Sequence, residues 1–382
     1  MKISERLALF AAAIYTVAAA GAISARAEDL SEISAKSAVV YNAETGEILF
    51  EKNARQRLPM ASTTKIMSAL IVLEEDDLDE KFTVDSEAIK IEGSSMGLTE
   101  GDKVSLRDLV CGMLLPSGND AANAAAVKVA GSVENFVEIM NDRAEEWGLE
   151  DTHFVTPSGL DDYTDEHYST AYDMARLAGI AMEDPDFRAI CGEERMKLSF
   201  GDPPFDRWLM NTNKLLKYSD DIVGIKTGFT DKAKRCLVSA CDRKGAELIC
   251  VTLNAPDDWN DHMRLYDRCF DFLSEQRIYP PEKEYYVDVV GGECDKIRCS
   301  AGTASAVLLN GKAENVTAEI FIEPFVYAPV APGAVVGRAD YYYNGKKLMQ
   351  TEITALEGTD YVRCAKPSLW EFYRAKLAEL FD

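Results

Sequence analysis

The chain has 382 residues, 47% of them hydrophobic and 28% charged, which is enough apolar material for a sizeable core and length enough for two domains. Its formal net charge of −24 repels phosphate backbones, and no basic patch or zinc-knuckle pattern offers a local exception, which argues against nucleic acid as a partner. The three histidines, His153, His167 and His262, are too few and too scattered for a His-based zinc site or a histidine-centred triad, so no metal and no cofactor is expected.

At the start, Lys2 and Arg6 flank an apolar stretch from Leu7 to Ile23, followed by Ala25-Arg26-Ala27. This has the form of a secretory signal with a small-residue cleavage site, so residues 1–27 are expected to be removed and Glu28 to begin the exported protein. The competing reading is an uncleaved anchor, since the stretch borders on the length of a spanning helix. The nine cysteines are odd in number and contain no C-x-x-C pair, so no disulfide framework or metal site is evident. Cys236 and Cys250 sit in apolar, strand-like runs as small hydrophobes, and Cys294 and Cys299 are spaced such that they could close a hairpin.

Two β-rich runs, Val39-Val40-Tyr41 and Ile48-Leu49-Phe50, are separated by a turn over Asn42 to Gly46. A helix follows Pro59, with Ser62 at its start and Ile66, Met67, Leu70, Ile71 and Leu73 making it apolar nearly all round, hence buried. From about 84 to 195 helical patterns dominate, notably Leu106 to Leu115, Ala121 to Val129 and Val133 to Trp147, with Gly131 and Gly148 as breaks. Strand character returns at Ile222 to Thr230, Cys236 to Cys241 and Leu248 to Leu253, consecutive and antiparallel. A closing helix from about Asn260 to Glu275 runs to the break at Pro280-Pro281. Residues 283 to about 365 are short Val, Ile, Tyr and Phe runs punctuated by Gly291-Gly292, Asn310-Gly311 and Asn344-Gly345, the pattern of a small all-β domain. Leu369 to Phe381 is an amphipathic helix with about one net negative charge, which fits docking on the β domain as well as it fits a membrane surface.

Three short elements carry chemistry. Ser62-Thr63-Thr64-Lys65 is S-x-x-K, and a spacing of three on a helix makes hydroxyl and amine neighbours. A serine needs a base to become a nucleophile, and burial in an apolar helix favours the neutral lysine that can serve. Ser117-Gly118-Asn119 falls in a loop at a helix start, and Lys226-Thr227-Gly228 lies within a strand, where glycine allows close approach of a ligand backbone and the cation and hydroxyl suit a terminal carboxylate. Each element alone has an ordinary alternative: a helix cap with a surface lysine, a second cap, an edge lysine that blocks aggregation. Their conjunction, each in its expected context, favours acyl transfer.

With these motifs the sequence resembles the penicillin-binding proteins and serine β-lactamases, and more narrowly the low-molecular-mass D-alanyl-D-alanine carboxypeptidases. The narrower likeness rests on Pro59 to Met67, Leu115 to Ala122 and Gly224 to Thr230, joined by Phe154 to Asp162 and Tyr168 to Met174; it covers roughly residues 35 to 280. It implies an α/β penicillin-binding protein/serine β-lactamase-like transpeptidase fold, an antiparallel sheet flanked by helices with a helical subdomain, followed by a small β-sandwich-like domain. The implied layout is signal peptide 1–27, catalytic domain 28–280, β domain 281–365 and helix 366–382, the last a membrane attachment. It further implies that Ser62 forms an acyl-enzyme, Lys65 takes its proton and Ser117 relays a proton to the leaving group. Asn119, Lys226, Thr227 and Gly228 would hold the substrate, and the backbone amides of Ser62 and Phe229 would form the oxyanion hole. The expected partners are a peptidoglycan stem peptide ending in D-Ala-D-Ala and β-lactam antibiotics, met outside the cytoplasmic membrane. A β-lactamase, a D,D-endopeptidase and a non-catalytic wall-binding protein are the alternatives. The segment Asp161 to Thr170 lacks the Glu followed by Leu-Asn that class A β-lactamases use for deacylation. One departure from the family pattern is Lys234, where many relatives have glycine, which puts the local strand entry in doubt.

Overall fold

The computed structural model describes residues 32–309 and 312–362, with Trp370 and Arg374 beyond them. The expected signal segment, most of the terminal helix and the Asn310-Gly311 turn lie outside the described residues. Among the described residues no helix is long and apolar enough to cross a membrane. The chain divides between Leu273 and Ser274 into two compact units.

The first unit opens with the hairpin β1 (Ser37–Asn42) and β2 (Ile48–Lys52). Its turn is closed by Asn42 Oδ1, which accepts from the amides of Glu44 and Thr45 at 2.9 and 3.0 Å, with Gly46 at φ 74°. A 3₁₀ turn over Ala61–Thr64 leads into α1 (Lys65–Leu73), every residue of which is buried. After the short pair β3 (Phe82–Thr83) and β4 (Lys103–Val104) come α2 (Leu106–Leu114), α3 (Asn119–Ala130), α4 (Val133–Glu146), α5 (Ala171–Glu183) and α6 (Pro185–Cys191). Their ends follow local rules: Ser105 and Asp108 form a reciprocal capping box on α2, and Gly131, at φ 78°, terminates α3. A hairpin of β5 (Arg195–Gly201) and β6 (Pro204–Met210), which the sequence reading did not anticipate, precedes β7 (Ile222–Thr230), β8 (Lys234–Arg243), β9 (Ala246–Leu253) and α7 (Asp258–Phe270).

The main sheet is antiparallel in the order β2-β1-β9-β8-β7, so the first and last strands of the unit pair at its centre while β7 is left on an edge. Every residue of β9 is buried, because both faces are covered. Val238, Ala240, Ile249 and Val251 join the core with α1 and α5. On the opposite face Ser239 and Thr252 meet α7, where they hold the ring of buried His262 at 2.7 and 2.9 Å. Burial pushes that imidazole down to about 3, so it is a neutral structural group.

The closing helix ends at Phe270, short of the expected Glu275. Leu273 to Ile278 forms β10, which pairs with β13. Leu273 is in phase with the helical apolar stripe, but strand pairing overrides that local signal. The second unit is otherwise β11 (Tyr285–Val290), β12 (Lys296–Ala301), β13 (Ala304–Leu309), β14 (Thr317–Ile322), β15 (Phe325–Tyr327), β16 (Val335–Tyr343) and β17 (Lys346–Ala355). Six of these form one sheet in the order β14-β16-β17-β12-β11-β15, with Asn344 and Gly345 both at positive φ in the β16–β17 turn. Strict alternation along β11 turns Tyr285, Val287 and Val289 inward onto Ile297, Cys299, Ala339 and Ile353. Cys294 is exposed and Cys299 buried, and both are free thiols, so the hairpin disulfide does not form.

Candidate active site

Ser62 lies in the 3₁₀ turn and Lys65 is the first residue of α1, so the tighter turn, rather than the helix itself, presents the hydroxyl. The turn is locked by its own threonines: Thr63 Oγ1 donates to the Met60 carbonyl at 2.6 Å and Thr64 Oγ1 to that of Ala61 at 2.7 Å. His167 braces it from outside. Its Nδ1 accepts from the Val155 amide at 2.9 Å, which leaves Nε2–H to donate to Thr64 Oγ1 at 2.8 Å. Burial takes this imidazole to about 3 as well, so it is a neutral brace.

Lys65 is wholly buried. Its Nζ lies 2.9 Å from Ser62 Oγ, 2.8 Å from Asn119 Oδ1 and 2.6 Å from the Ser158 carbonyl. Desolvation, reinforced by the nearby Lys226 cation and partly opposed by Asp120, holds the amine well below its ordinary value. A neutral amine has two N–H donors, which the Asn119 and Ser158 oxygens satisfy, and its lone pair then faces the Ser62 hydroxyl. The arrangement suits proton abstraction from Ser62.

The second wall is the loop before α3. Ser117, buried, sits at φ 66°, a conformation that costs a non-glycine residue about 1–2 kcal/mol and is found where function over-determines the backbone. Asn119 spends its Nδ2 on the Glu92 carbonyl at 2.7 Å, which fixes its Oδ1 toward Lys65. The adjacent Asp120 carboxylate is buried and accepts from Ser95 Oγ and the amides of Met96, Gly97 and Leu98 at 2.6 to 3.1 Å, tying the 95–98 loop to this wall.

The third wall is the edge strand β7. Lys226 is fully buried, contrary to the solvent-facing alternative for an edge lysine; its Nζ donates to the Thr227 carbonyl at 2.8 Å, and burial lowers its pKa to about 7. Thr227 Oγ1 meets Thr212 Oγ1 at 2.7 Å. A Cβ on Gly228 would stand 3.0 Å from the Met60 carbonyl and 3.1 Å from the Ser62 amide, so glycine is what lets β7 close on the nucleophile's turn. Phe229 follows with its side chain exposed. Lys234, whose departure from glycine put the strand entry in doubt, starts β8 at φ 59° and keeps its pairing with Thr230; the position uses the left-handed region that glycine prefers.

The structure thus brings Ser62, Lys65 and Asn119 into direct contact, and sets Lys226, Thr227 and Gly228 on the neighbouring edge. Sequence reasoning missed Ser158, whose carbonyl is the shortest of the Lys65 contacts, and Gly159, at φ 88° with an added Cβ only 2.0 Å from the Ala61 carbonyl oxygen. Ser158-Gly159 lay within a stretch read only as family likeness. Among the described residues no group of His, Cys, Asp and Glu is placed to hold a metal.

A family model described as D-alanyl-D-alanine carboxypeptidase matches residues 23–257, and one described as the C-terminal domain of penicillin-binding protein 5 matches residues 274–360. The chain is 32% identical to the D-alanyl-D-alanine carboxypeptidase DacF of Bacillus subtilis, over 85% of either chain. It is 33% identical to DacC of Escherichia coli, over 86% of this chain and 85% of that one. Its fold is similar to that of penicillin-binding protein 5 from Haemophilus influenzae, with a TM-score of 0.61, 26% identity and coverage of 86% of this chain and 98% of the other.

Proposed function

Because the chain belongs to the D-alanyl-D-alanine carboxypeptidase family of serine peptidases, we propose that its chemistry runs through Ser62 and Lys65, on the three-walled site above. The protein is a serine D-Ala-D-Ala carboxypeptidase of cell-wall metabolism and a penicillin-binding protein. The observation that carries the residue assignment is the wholly buried Lys65 amine 2.9 Å from Ser62 Oγ.

In this reading Lys65 Nζ takes the Ser62 proton as Oγ attacks the carbonyl carbon of the penultimate D-alanine. The oxyanion that forms is received by the backbone amides of Ser62 and Phe229, a reading supported by the close approach of Gly228 to the Ser62 amide. Collapse breaks the C–N bond. The proton held on Lys65 passes through the Ser117 hydroxyl to the departing amine, leaving free D-alanine and an ester on Ser62. Water then attacks the ester, gives a proton to Lys65, and Ser62 Oγ leaves with that proton, restoring the site. Asn119 orients the peptide, and Lys226 with Thr227 binds the terminal carboxylate, a charge-assisted contact at the strand edge where an extended peptide can pair. β-Lactams acylate Ser62 by the same attack and hold it for a long time.

The wider layout belongs to the same proposal: export after cleavage before Glu28, a catalytic domain over 28–280, a β domain over 281–365 and a terminal helix over 366–382 that meets the outer face of the membrane. The test is D-alanine release from a peptide ending in Lys-D-Ala-D-Ala by wild type and Ser62→Ala, with intact mass checking a start at Glu28. Release by wild type alone is expected. Release by both would remove Ser62 from the mechanism, and release only from cross-linked peptides would make the protein an endopeptidase.

A further inference from the structure

Thr212 stands next to the proposed carboxylate site without belonging to any of its motifs. It is held between two anchored asparagines. Asn211 Nδ2 donates to the carbonyls of Cys191 and Glu193 at 3.1 and 3.0 Å, its Oδ1 accepts from the Asn213 amide at 2.9 Å, and Asn213 Oδ1 accepts from the Leu215 amide at 3.1 Å. The Thr212 amide donates to the Leu115 carbonyl at 3.1 Å, which attaches the residue to the start of the Ser117 loop. Its hydroxyl has two oxygens in reach: Thr227 Oγ1 at 2.7 Å and the Leu115 carbonyl at 3.4 Å. For a hydroxyl donor the first distance is at the optimum and the second lies beyond the ordinary range.

The direction of the short bond decides what Thr227 can do. If Thr227 donates to Thr212, its single hydrogen is spent and it cannot donate to a ligand; if Thr212 donates, that hydrogen is free. A carboxylate on β7 selects the second arrangement, because a hydroxyl that already accepts one hydrogen bond is polarised and donates a stronger one to an anion.

We propose that Thr212 is a positioning residue for the substrate's terminal carboxylate: its hydroxyl donates to Thr227 Oγ1 and aims the Thr227 hydrogen at that carboxylate. The inference rests on the carboxypeptidase reading of the site and deepens it. Through the Leu115 carbonyl, Thr212 also ties the carboxylate-binding strand to the loop that carries Ser117, so recognition of the substrate's end and placement of the proton relay share one anchor.

The test compares the full-length wild type with Thr212→Val, Thr212→Ser, Thr227→Val and the Thr212→Val/Thr227→Val double variant on diacetyl-Lys-D-Ala-D-Ala and on the same peptide with a C-terminal amide. Thr212→Val is expected to raise KM for the acid about 3- to 10-fold, the worth of one hydrogen bond, with kcat changed less than about 2-fold. Thr212→Ser should restore the wild-type KM, the amide should be indifferent to Thr212→Val, and that substitution should add nothing in the Thr227→Val background. An unchanged KM in Thr212→Val, an equal rise on the amide, or full additivity with Thr227→Val would each overturn the proposal. Failure of the wild type itself to release D-alanine from the acid or D-alaninamide from the amide is a separate result: it would remove the reading of the site, and the inference with it.

Discussion

Replacing Lys226 by Met separates the recognition of the carboxylate from the stability of the fold. The amine is fully buried and its pKa falls to about 7, whereas an unfolded chain holds the proton to about 10.4. Between these values the unfolded state binds more protons, so stability rises with pH through the window from about 7 to about 10.4, by up to about 1.4 kcal/mol per unit. Below about 7 the buried cation is charged in both states, and the displacement corresponds to a burden of roughly 5 kcal/mol on the folded protein. Met fills similar space without charge, so Lys226→Met should melt higher than wild type at pH 6 and flatten, though not abolish, the rise of stability above pH 7, since the depressed Lys65 contributes in the same direction. Catalysis should move the other way. Loss of a charged hydrogen-bond partner costs about 1.5–3 kcal/mol, or about 10- to 150-fold in kcat/KM for an acid-terminated peptide, with little change for the C-terminal amide. On the proposed role of Lys226 the substrate binds its protonated form, so KM should rise about tenfold per pH unit above about 7. Thermal melts from pH 6 to 10 and kinetics on the acid and amide peptides read both halves. A Lys226→Met protein that melts lower at pH 6 while keeping the wild-type preference for the acid would refute the reasoning.

Gly159→Ala puts a methyl 2.0 Å from the Ala61 carbonyl oxygen and 2.9 Å from the Ser62 amide, at φ 88° where a side chain is strained. The backbone of the nucleophile's turn must shift, and acylation by a fluorescent penicillin should slow by about 100-fold, the cost of a displacement near 1 Å; a wild-type labelling rate would mean the contact is not tight. Lys234, at φ 59°, gives a test of sign: Lys234→Gly relieves about 1–2 kcal/mol of left-handed strain and returns about 0.5–1 through the more flexible unfolded chain, so chemical denaturation should show it neutral to about 1.5 kcal/mol more stable, whereas Lys234→Val should be less stable than wild type. A clear loss of stability in Lys234→Gly would contradict that account.

What was legible in the sequence follows from how local each signal is. S-x-x-K could be read because a spacing of three fixes two side chains on one face whatever the rest of the chain does, and the 3₁₀ turn that replaces the expected helical start preserves that closeness. The strand Ile222–Thr230 was legible from its β-rich run, and the buried helix from its unbroken apolar content. The Ser158 carbonyl was not legible, because a backbone oxygen carries no residue-type signal and this one reaches Lys65 across 93 positions. Asp120 reads as a helix-start acid and shows its second role only when the amides of Met96 to Leu98 fold onto it. The β5–β6 hairpin and β10 went unread for the reason that governs strands generally: pairing partners, not propensity, decide them.

Two buried lysines in one cleft are costly, and the cost has a use because their environments drive them to different tasks. Desolvation first, and the Lys226 charge second, hold Lys65 well below its ordinary value, against the Asn119 and Ser158 oxygens that favour its protonated form. Lys226 has the Thr227 carbonyl as its hydrogen-bond acceptor and waits near about 7 for an anion. In the proposed reading the substrate's carboxylate offsets the Lys226 charge and so removes the lesser of the two effects that lower Lys65, desolvation being the greater. Asp120, the buried carboxylate, opposes Lys226 at Lys65, and on the proposed reading the substrate's carboxylate acts in the same direction. On the proposed role of Lys226, recognition of the terminal carboxylate is coupled through charge to the strength of the base, and a peptide with a blocked end loses both the contact and that contribution.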